Sequence, residues 1–475
     1  MNKDILSIIA YYVNKNDYIT FMSVSKNINN VAQNNDNMPI CFNMVKYVKV
    51  CINNKKNIDF NTIVKYRMVS LCLEKLNNID ADIIDVDKMH QHIPYGVTHL
   101  TICKNYDKQI TNWPSSLKSV KLNNLYNFQL DDLPSGLVSL KIGDGFNQPV
   151  DNLPKNLKYL EFGSEFNQSV DNLPSKLEKL FFGECFNQSV DNLPPRLRVI
   201  VFGCNFNQNV DNLPNGIKKI IFNNYPFGID NSNFNRPVDK LPPNLKELFF
   251  CDRFNQSVDN LPKNLKYLSF GNDFDHSIDN LPPNLETLIL TSYYYNQPVD
   301  NLPKKLRVLK FGCFYNQNVD KLPDSITHLI FGDNYEQTIN KYPENLEYLE
   351  CGWHFNQSVD NLPKKLKYLK LGNLFNKSVD NLPEGLETLI FGQYFNKTID
   401  NLPSSLKRLT LSLGFNESID NLPDGLEALS MYSSYKNKIN KLPRNLKQLS
   451  VSQNIYSNID QAALSQNANL IVCAY

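Results

Sequence analysis

Thirteen aspartates recur in a fixed register from Asp151 to Asp420, most of them 20 residues apart. If the segments carrying them stack like neighbouring strands, about 5 Å apart, the carboxylates form a ladder, and a ladder of carboxylates has two uses. One is to hold calcium, which takes about six to eight oxygens and is served in such arrays by Gly-Gly-x-Gly-x-Asp loops; no loop of that kind is present. The other is local: each carboxylate accepts N–H groups in an Asx turn, which the following Asn and Leu-Pro suit. Those bonds would offset a repulsion on the order of 1 kcal/mol per pair in water. The turn is the expected role.

The remaining candidates for chemistry do not converge. The six histidines (His90, His92, His99, His276, His328, His354) occupy different phases of the repeat, and no phosphate-binding Gly-rich loop or nucleophile elbow occurs. His90-x-His92 has ligand spacing but no second pair nearby. Ten cysteines at irregular spacings form neither a metal-binding pair nor a disulfide framework, which suits a reducing compartment. We therefore expect no catalysis, no metal and no cofactor.

Lys plus Arg is 49 and Asp plus Glu is 48, so a net charge of +1 exerts no general pull on nucleic acid or an anionic membrane. Neither a signal-peptide pattern nor a continuous apolar stretch of membrane-spanning length is visible. The expectation is a soluble, intracellular chain with neither nucleic-acid nor membrane partners. Seven Asn-x-Ser/Thr sequons, from Asn167 to Asn416, recur in register and read as repeat chemistry rather than glycan sites.

The element that positions all these residues is a repeat. From Pro94 to Pro443, eighteen prolines make seventeen spacings, of which fifteen are 20, one is 28 and one is 21. With each proline as position 0, an aliphatic recurs at +3 and +6, Phe or an aliphatic at +8, an aromatic at +12, Val or Ile at +16 and Leu at +19, as in Leu157, Leu160, Phe162, Phe166, Val170 and Leu173. Positions +5 to +8 alternate with the strand period of two. One repeat cannot bury six apolar side chains, so neighbours stack and their strands pair in parallel. The aromatic at +12 is a core spine, Asn at +13 suits a ladder satisfying backbone groups, and Gly at +9 suggests a backbone conformation costly for other residues.

The segment Phe166-Asn-Gln-Ser-Val-Asp-Asn-Leu-Pro174 resembles the FNIP repeat, a short relative of the leucine-rich repeat found in social amoebae and giant viruses of amoebae. The resemblance implies a leucine-rich-repeat-like solenoid with strands on its concave side; a straight β-helix is the alternative the residues alone leave open. An eight-residue insertion around Asn223 to Ser232 and one residue near Tyr293 to Tyr295 interrupt the register. The expected organisation is an N-terminal module over 1–39, degenerate capping repeats over 40–93, the solenoid over 94–462 and a C-terminal cap over 463–475, with Leu470 to Val472 in a closing strand.

Residues 4 to 32 show helical rather than repeat spacing. Asp4-Ile5-Leu6, Ile9, Tyr12-Val13, Asp17 and Val24-Ser25-Lys26 are similar to the F-box pattern, a helical module that docks on the Skp adaptor of a cullin-based ubiquitin ligase. That similarity implies Ile5, Leu6, Ile9, Tyr12, Val13 and Val24 as adaptor contacts and makes the chain a substrate-recognition subunit. The other reading is a binding scaffold with a helical cap.

The target site is expected on the outward positions +5 and +7, which are polar near both ends of the array. Between them Phe181, Val201, Ile221 and Phe249 at +7, with Tyr159, Val199 and Tyr267 at +5, turn apolar. A contiguous apolar patch with a polar rim marks a partner site.

Overall fold

The computed structural model describes residues 49–51, 69–72, 98–102, 108–222, 232–432, 435–465 and 470–474. The chain divides into two compact units, Met1–Leu197 and Arg198–Tyr475. The helical module expected over 1–39, and with it Ile5, Leu6, Ile9, Tyr12, Val13 and Val24, lies outside the described residues.

In the first unit β1 (Lys49–Cys51), β2 (Val69–Cys72), β3 (His99–Ile102), β4 (Ser119–Lys121), β5 (Ser139–Lys141), β6 (Tyr159–Glu161) and β7 (Lys179–Phe181) each pair in parallel with the next. The second unit opens with β8 (Val199–Val201), β9 (Lys219–Ile221), β10 (Glu247–Phe249), β11 (Tyr267–Phe270), β12 (Thr287–Leu290), β13 (Val308–Phe311) and β14 (His328–Ile330). It closes with β15 (Tyr348–Glu350), β16 (Tyr368–Lys370), β17 (Thr388–Ile390), β18 (Arg408–Thr410), β19 (Ala428–Ser430), β20 (Gln448–Val451) and β21 (Ile471–Ala474). Here too every strand is parallel to its successor, and like positions face one another, as Leu349 faces Leu369. From β3 to β20, one strand follows each repeat proline. Two short helices, α1 (Gln453–Tyr456) and α2 (Gln461–Ser465), lead to the closing strand β21.

The backbone of a repeat can be accounted for group by group. The N–H at +3 closes a turn on the proline carbonyl, as Leu157 does on Pro154 at 3.0 Å. The N–H groups at +4 and +5 share the +4 carbonyl of the preceding repeat: Lys158 and Tyr159 reach Val138 at 2.8 and 3.1 Å. At +8 the donor turns forward, Phe162 to the Phe181 carbonyl at 2.9 Å, and at +11 it turns back, Glu165 to Asp144 at 2.8 Å. At +13 no carbonyl is in place, and the asparagine expected there supplies the acceptor: Asn167 N–H donates to Asn147 Oδ1 at 2.9 Å.

The strands are short because the chain must turn inward twice. Leu160 and Phe162, at 0% and 3% exposure, point into the coil while Tyr159 and Glu161 stay half-exposed. Phe166 then stacks on Phe162 at 3.7 Å and on Phe186 at 6.1 Å, so each repeat adds one ring to a column. In the second unit Phe254, Phe274, Tyr295, Tyr315 and Tyr335 continue such a column at 6.0–6.3 Å. The one-residue insertion is absorbed ahead of Tyr295, which is buried, leaving Tyr293 and Tyr294 exposed. Across the longer insertion β9 and β10 keep register, Ile221 opposite Phe249.

Two expectations need correction. Glycine at +9 answers a close approach, not a special conformation: a Cβ on Gly352 would lie 1.7 Å from the carbonyl oxygen of Gly332, and one on Gly183 would lie 2.0 Å from that of Gly163. The aspartates at +17, for their part, mostly bind side chains instead of main-chain N–H groups. Ser169 Oγ donates to Asp171 Oδ2 at 2.9 Å and accepts the Asp171 N–H at 3.3 Å, while Asn172 of the same repeat reaches Asp151 Oδ1 at 2.9 Å. An asparagine amide therefore tethers each carboxylate of such a pair to the next repeat. Where the next +17 residue is itself asparagine, its main-chain N–H also donates to the carboxylate: Asn340 to Asp320 Oδ1 at 2.8 Å and Asn440 to Asp420 Oδ1 at 3.2 Å. The donors hold Asp259 (Asn280 first, then Ser257) and Asp360 (Ser358 first, then Asn381) below the usual carboxylate value.

Candidate protein-binding face

Outward residues of a strand-per-repeat sheet are set by the alternation: +6 is buried, so +5 and +7 face away from the core. In the first unit this brings Tyr159 and Phe181 together, ring centroids 5.2 Å apart, with the Tyr159 hydroxyl bonded to Glu161. Burial and then that carboxylate raise the Tyr159 pKa, so the phenol stays protonated.

In the second unit Val199, Ile221, Phe249 and Tyr267 are half-buried on the face of β8 to β11, while Val201, of the same outward phase, is closed off at 2% exposure. Phe249 and Tyr267 stack diagonally across adjacent strands at 4.6 Å. Lys219 lies 4.7 Å from the centroid of the Phe249 ring and 2.7 Å from Glu247, so a cation caps the aromatic pair and is itself neutralised. Burial, then Glu247, raises the Tyr267 pKa. The result is a small apolar surface bordered by fixed polar groups, suited to covering by another protein and lacking a nucleophile–base pair.

Three further features of the second unit escaped the sequence reading. At +5, His328, Tyr348 and Tyr368 stack in a row at 5.3 and 4.2 Å on β14 to β16. At +10 or +11, just past the strands, Phe314, Trp353, Leu374, Tyr394 and Leu413 are 38–57% exposed. The corresponding +11 positions of two preceding repeats are the polar Arg253 and Asp273, and polar residues also intervene at Asn334 and His354, so the apolar side chains are interspersed and show no single period. At +4, charges alternate along the later repeats, with Lys367–Glu347, Lys407–Glu387 and Lys447–Glu427 at 2.9, 3.2 and 2.9 Å. Among the described residues no group of three or more His, Cys, Asp or Glu could hold a metal ion, and no helix is long and apolar enough to cross a membrane.

One short parallel strand per repeat, with leucines turned inward, defines a leucine-rich-repeat-like solenoid. The FNIP Repeat model matches eight times, between residues 146 and 225 and between 234 and 414, which is more than half of the chain; the chain belongs to the FNIP repeat family. Among solved structures it is similar to CroV588, described as a novel circular leucine-rich-repeat protein, at 32% identity and TM-score 0.74 over 87% of this chain and 63% of that one. The chain thus spans a little under two thirds of that relative's length. YopM from Yersinia enterocolitica is similar at 20% identity and TM-score 0.45, over 84% of this chain and 87% of that one. Comparison with curated proteins gives no match.

Proposed function

We propose that this solenoid captures a protein target on the outward face of β8 to β11, and that residues 4 to 32 couple it to the Skp-type adaptor of a cullin ubiquitin ligase. The observation that carries target capture is the half-exposed Phe249–Tyr267 stack capped by Lys219, beside Val199 and Ile221. A contiguous apolar face with a polar border is the kind of surface a protein partner covers. The coupling rests on the F-box-like pattern of Ile5, Leu6, Ile9, Tyr12, Val13 and Val24.

Two measurements test the two halves separately. Phe249→Asp, introduced on an open face, leaves the circular dichroism unchanged and abolishes capture of the partners that wild-type protein retains; an unfolded variant, or one that still captures them, refutes this face. Purified Skp adaptor binds the full chain in low salt, and Ile9→Asp removes that binding by placing a charge on the docking surface. If wild-type protein does not bind the adaptor, the ubiquitin reading is abandoned and the chain is a binding scaffold.

A further inference from the structure

We infer that the second unit reads an acidic, extended segment of its protein partner along a basic groove at position +4, with Lys218 and Lys246 at its centre. This rests on the reading that the solenoid captures a protein, but on neither the ubiquitin connection nor the apolar face.

The groove encloses about 600 Å³ and is lined by residues at +2 and +4, immediately before the strands. Its character follows from comparing one column with itself. In the later repeats the +4 position alternates in sign and closes on itself, Lys367 with Glu347 at 2.9 Å and Lys447 with Glu427 at 2.9 Å. In the groove the same position carries four cations in succession: Arg198, Lys218, Lys246 and Lys266. Lys266 is neutralised by Glu286 at 2.6 Å, and Arg198 donates to the Gly216 carbonyl at 3.0 Å. Lys218 and Lys246 have no acidic partner among the described residues, although they project from adjacent strand entries of the same sheet.

Like charges one strand spacing apart, about 4.8 Å, repel unless an anion lies between them. Asn244 and Asn264 are fixed in the groove by their amides, which donate to the Asn215 and Pro243 carbonyls at 3.1 Å each. The fit is to carboxylates or phosphates on every second residue of an extended chain, roughly 6.6–7 Å apart, a mismatch that flexible lysine stems absorb. No aromatic ring lines the groove, so it lacks the stacking platform by which single-stranded nucleic acid is held. An acidic polypeptide is the occupant that the charge pattern favours.

The test uses full-length protein and fluorescently labelled octaglutamate, read by anisotropy. Wild-type protein binds it in low salt, the affinity falls as salt is added, and Lys218→Glu/Lys246→Glu weakens it at least tenfold. Lys218→Gln/Lys246→Gln gives an intermediate loss, and the charge-matched control Lys364→Glu/Lys397→Glu, on exposed residues elsewhere in the unit, changes it less than twofold. Absence of binding in low salt, or equal losses in groove and control variants, overturns the proposal. So does tighter binding of an eight-nucleotide oligouridylate that the groove variants lose, which would make this a nucleic-acid site. Phe249→Asp retains octaglutamate binding, so failure of the apolar face and failure of the groove are read independently.

Discussion

The main-chain N–H of Asn187 donates to the side-chain oxygen of Asn167, one repeat earlier, at 2.9 Å. The same bond recurs from Asn376 to Asn356 and from Asn396 to Asn376, each at 3.0 Å, so one asparagine both supplies and uses the ladder. Replacing Asn376 by Ala removes the acceptor of the exposed Asn396 N–H and is expected to cost about 0.5–1.5 kcal/mol. Asn376→Asp keeps the acceptor and costs less. Chemical denaturation of the two variants checks the order; equal losses would mean that the amide nitrogen, not the oxygen, carries the ladder.

Close approach at +9 makes a sharper prediction. Gly352→Ala forces a Cβ to within 1.7 Å of the Gly332 oxygen, and the displaced backbone is expected to cost at least about 1–3 kcal/mol. At Gly136 the nearest atom, at 3.0 Å, is the far end of the Lys118 side chain. Gly136→Ala is expected to be neutral or stabilising by up to about 1 kcal/mol, through the unfolded chain. Thermal unfolding of both variants checks this order; equal changes in Tm at the two positions would contradict the close approach at +9.

Phe254 is wholly buried and stacks on Phe250 at 3.6 Å, so Phe254→Ala is expected to cost about 3–5 kcal/mol. Asp259→Asn, on the surface ladder, costs far less. Because Asn280 and Ser257 lower the Asp259 pKa in the folded protein, the charged form favours folding above the unfolded value of 3.8, and that contribution is lost as pH falls below it toward the lower folded value. Asp259→Asn therefore removes this small contribution at neutral pH and flattens the acid limb of a stability–pH curve, so that variant and wild type converge as pH falls below the folded value. A calcium-dependent rise in Tm that the substitution removes would contradict this role.

The inward half of the repeat was legible because burial has a period. Leu157, Leu160, Phe162, Phe166, Val170 and Leu173 are apolar in register and all are buried. The Asn147–Asn167 ladder was legible too, since a recurring amide at a turn has few uses. What the glycines do was not, because a 20-residue period does not show that the turn after one strand passes within contact of the turn before it. The function of the serine at +15 was hidden for a similar reason: Ser169 acts on Asp171 and on its own neighbouring N–H at once, which only the fold of the turn reveals. On the outward face, Phe249 and Tyr267 meet as the alternation implies, but Val201 is covered although it shares their phase. Periodicity tells which way a side chain points, not how far its surroundings cover it.

Three successive rings of the spine carry a hydroxyl, as Tyr126 and Tyr435 do elsewhere in the same column. Tyr295, Tyr315 and Tyr335 are at most 1% exposed, and their oxygens have no hydrogen-bond partner among the described residues. Burial is the leading cause that raises the pKa of each. At Tyr126, in the first unit, the hydroxyl instead accepts the N–H of Ile110 at 3.4 Å. An unpartnered hydroxyl in the core costs about 1–3 kcal/mol on mutational scales, and phenylalanine already fills the same position at Phe274 and Phe355. Tyr315→Phe is therefore expected to raise Tm, whereas Tyr126→Phe lowers it by removing an acceptor. A destabilised Tyr315→Phe would mean that the hydroxyl is satisfied by an internal water, and a high-resolution structure of the wild-type protein would then show that water between Tyr315 and a backbone group of the preceding repeat.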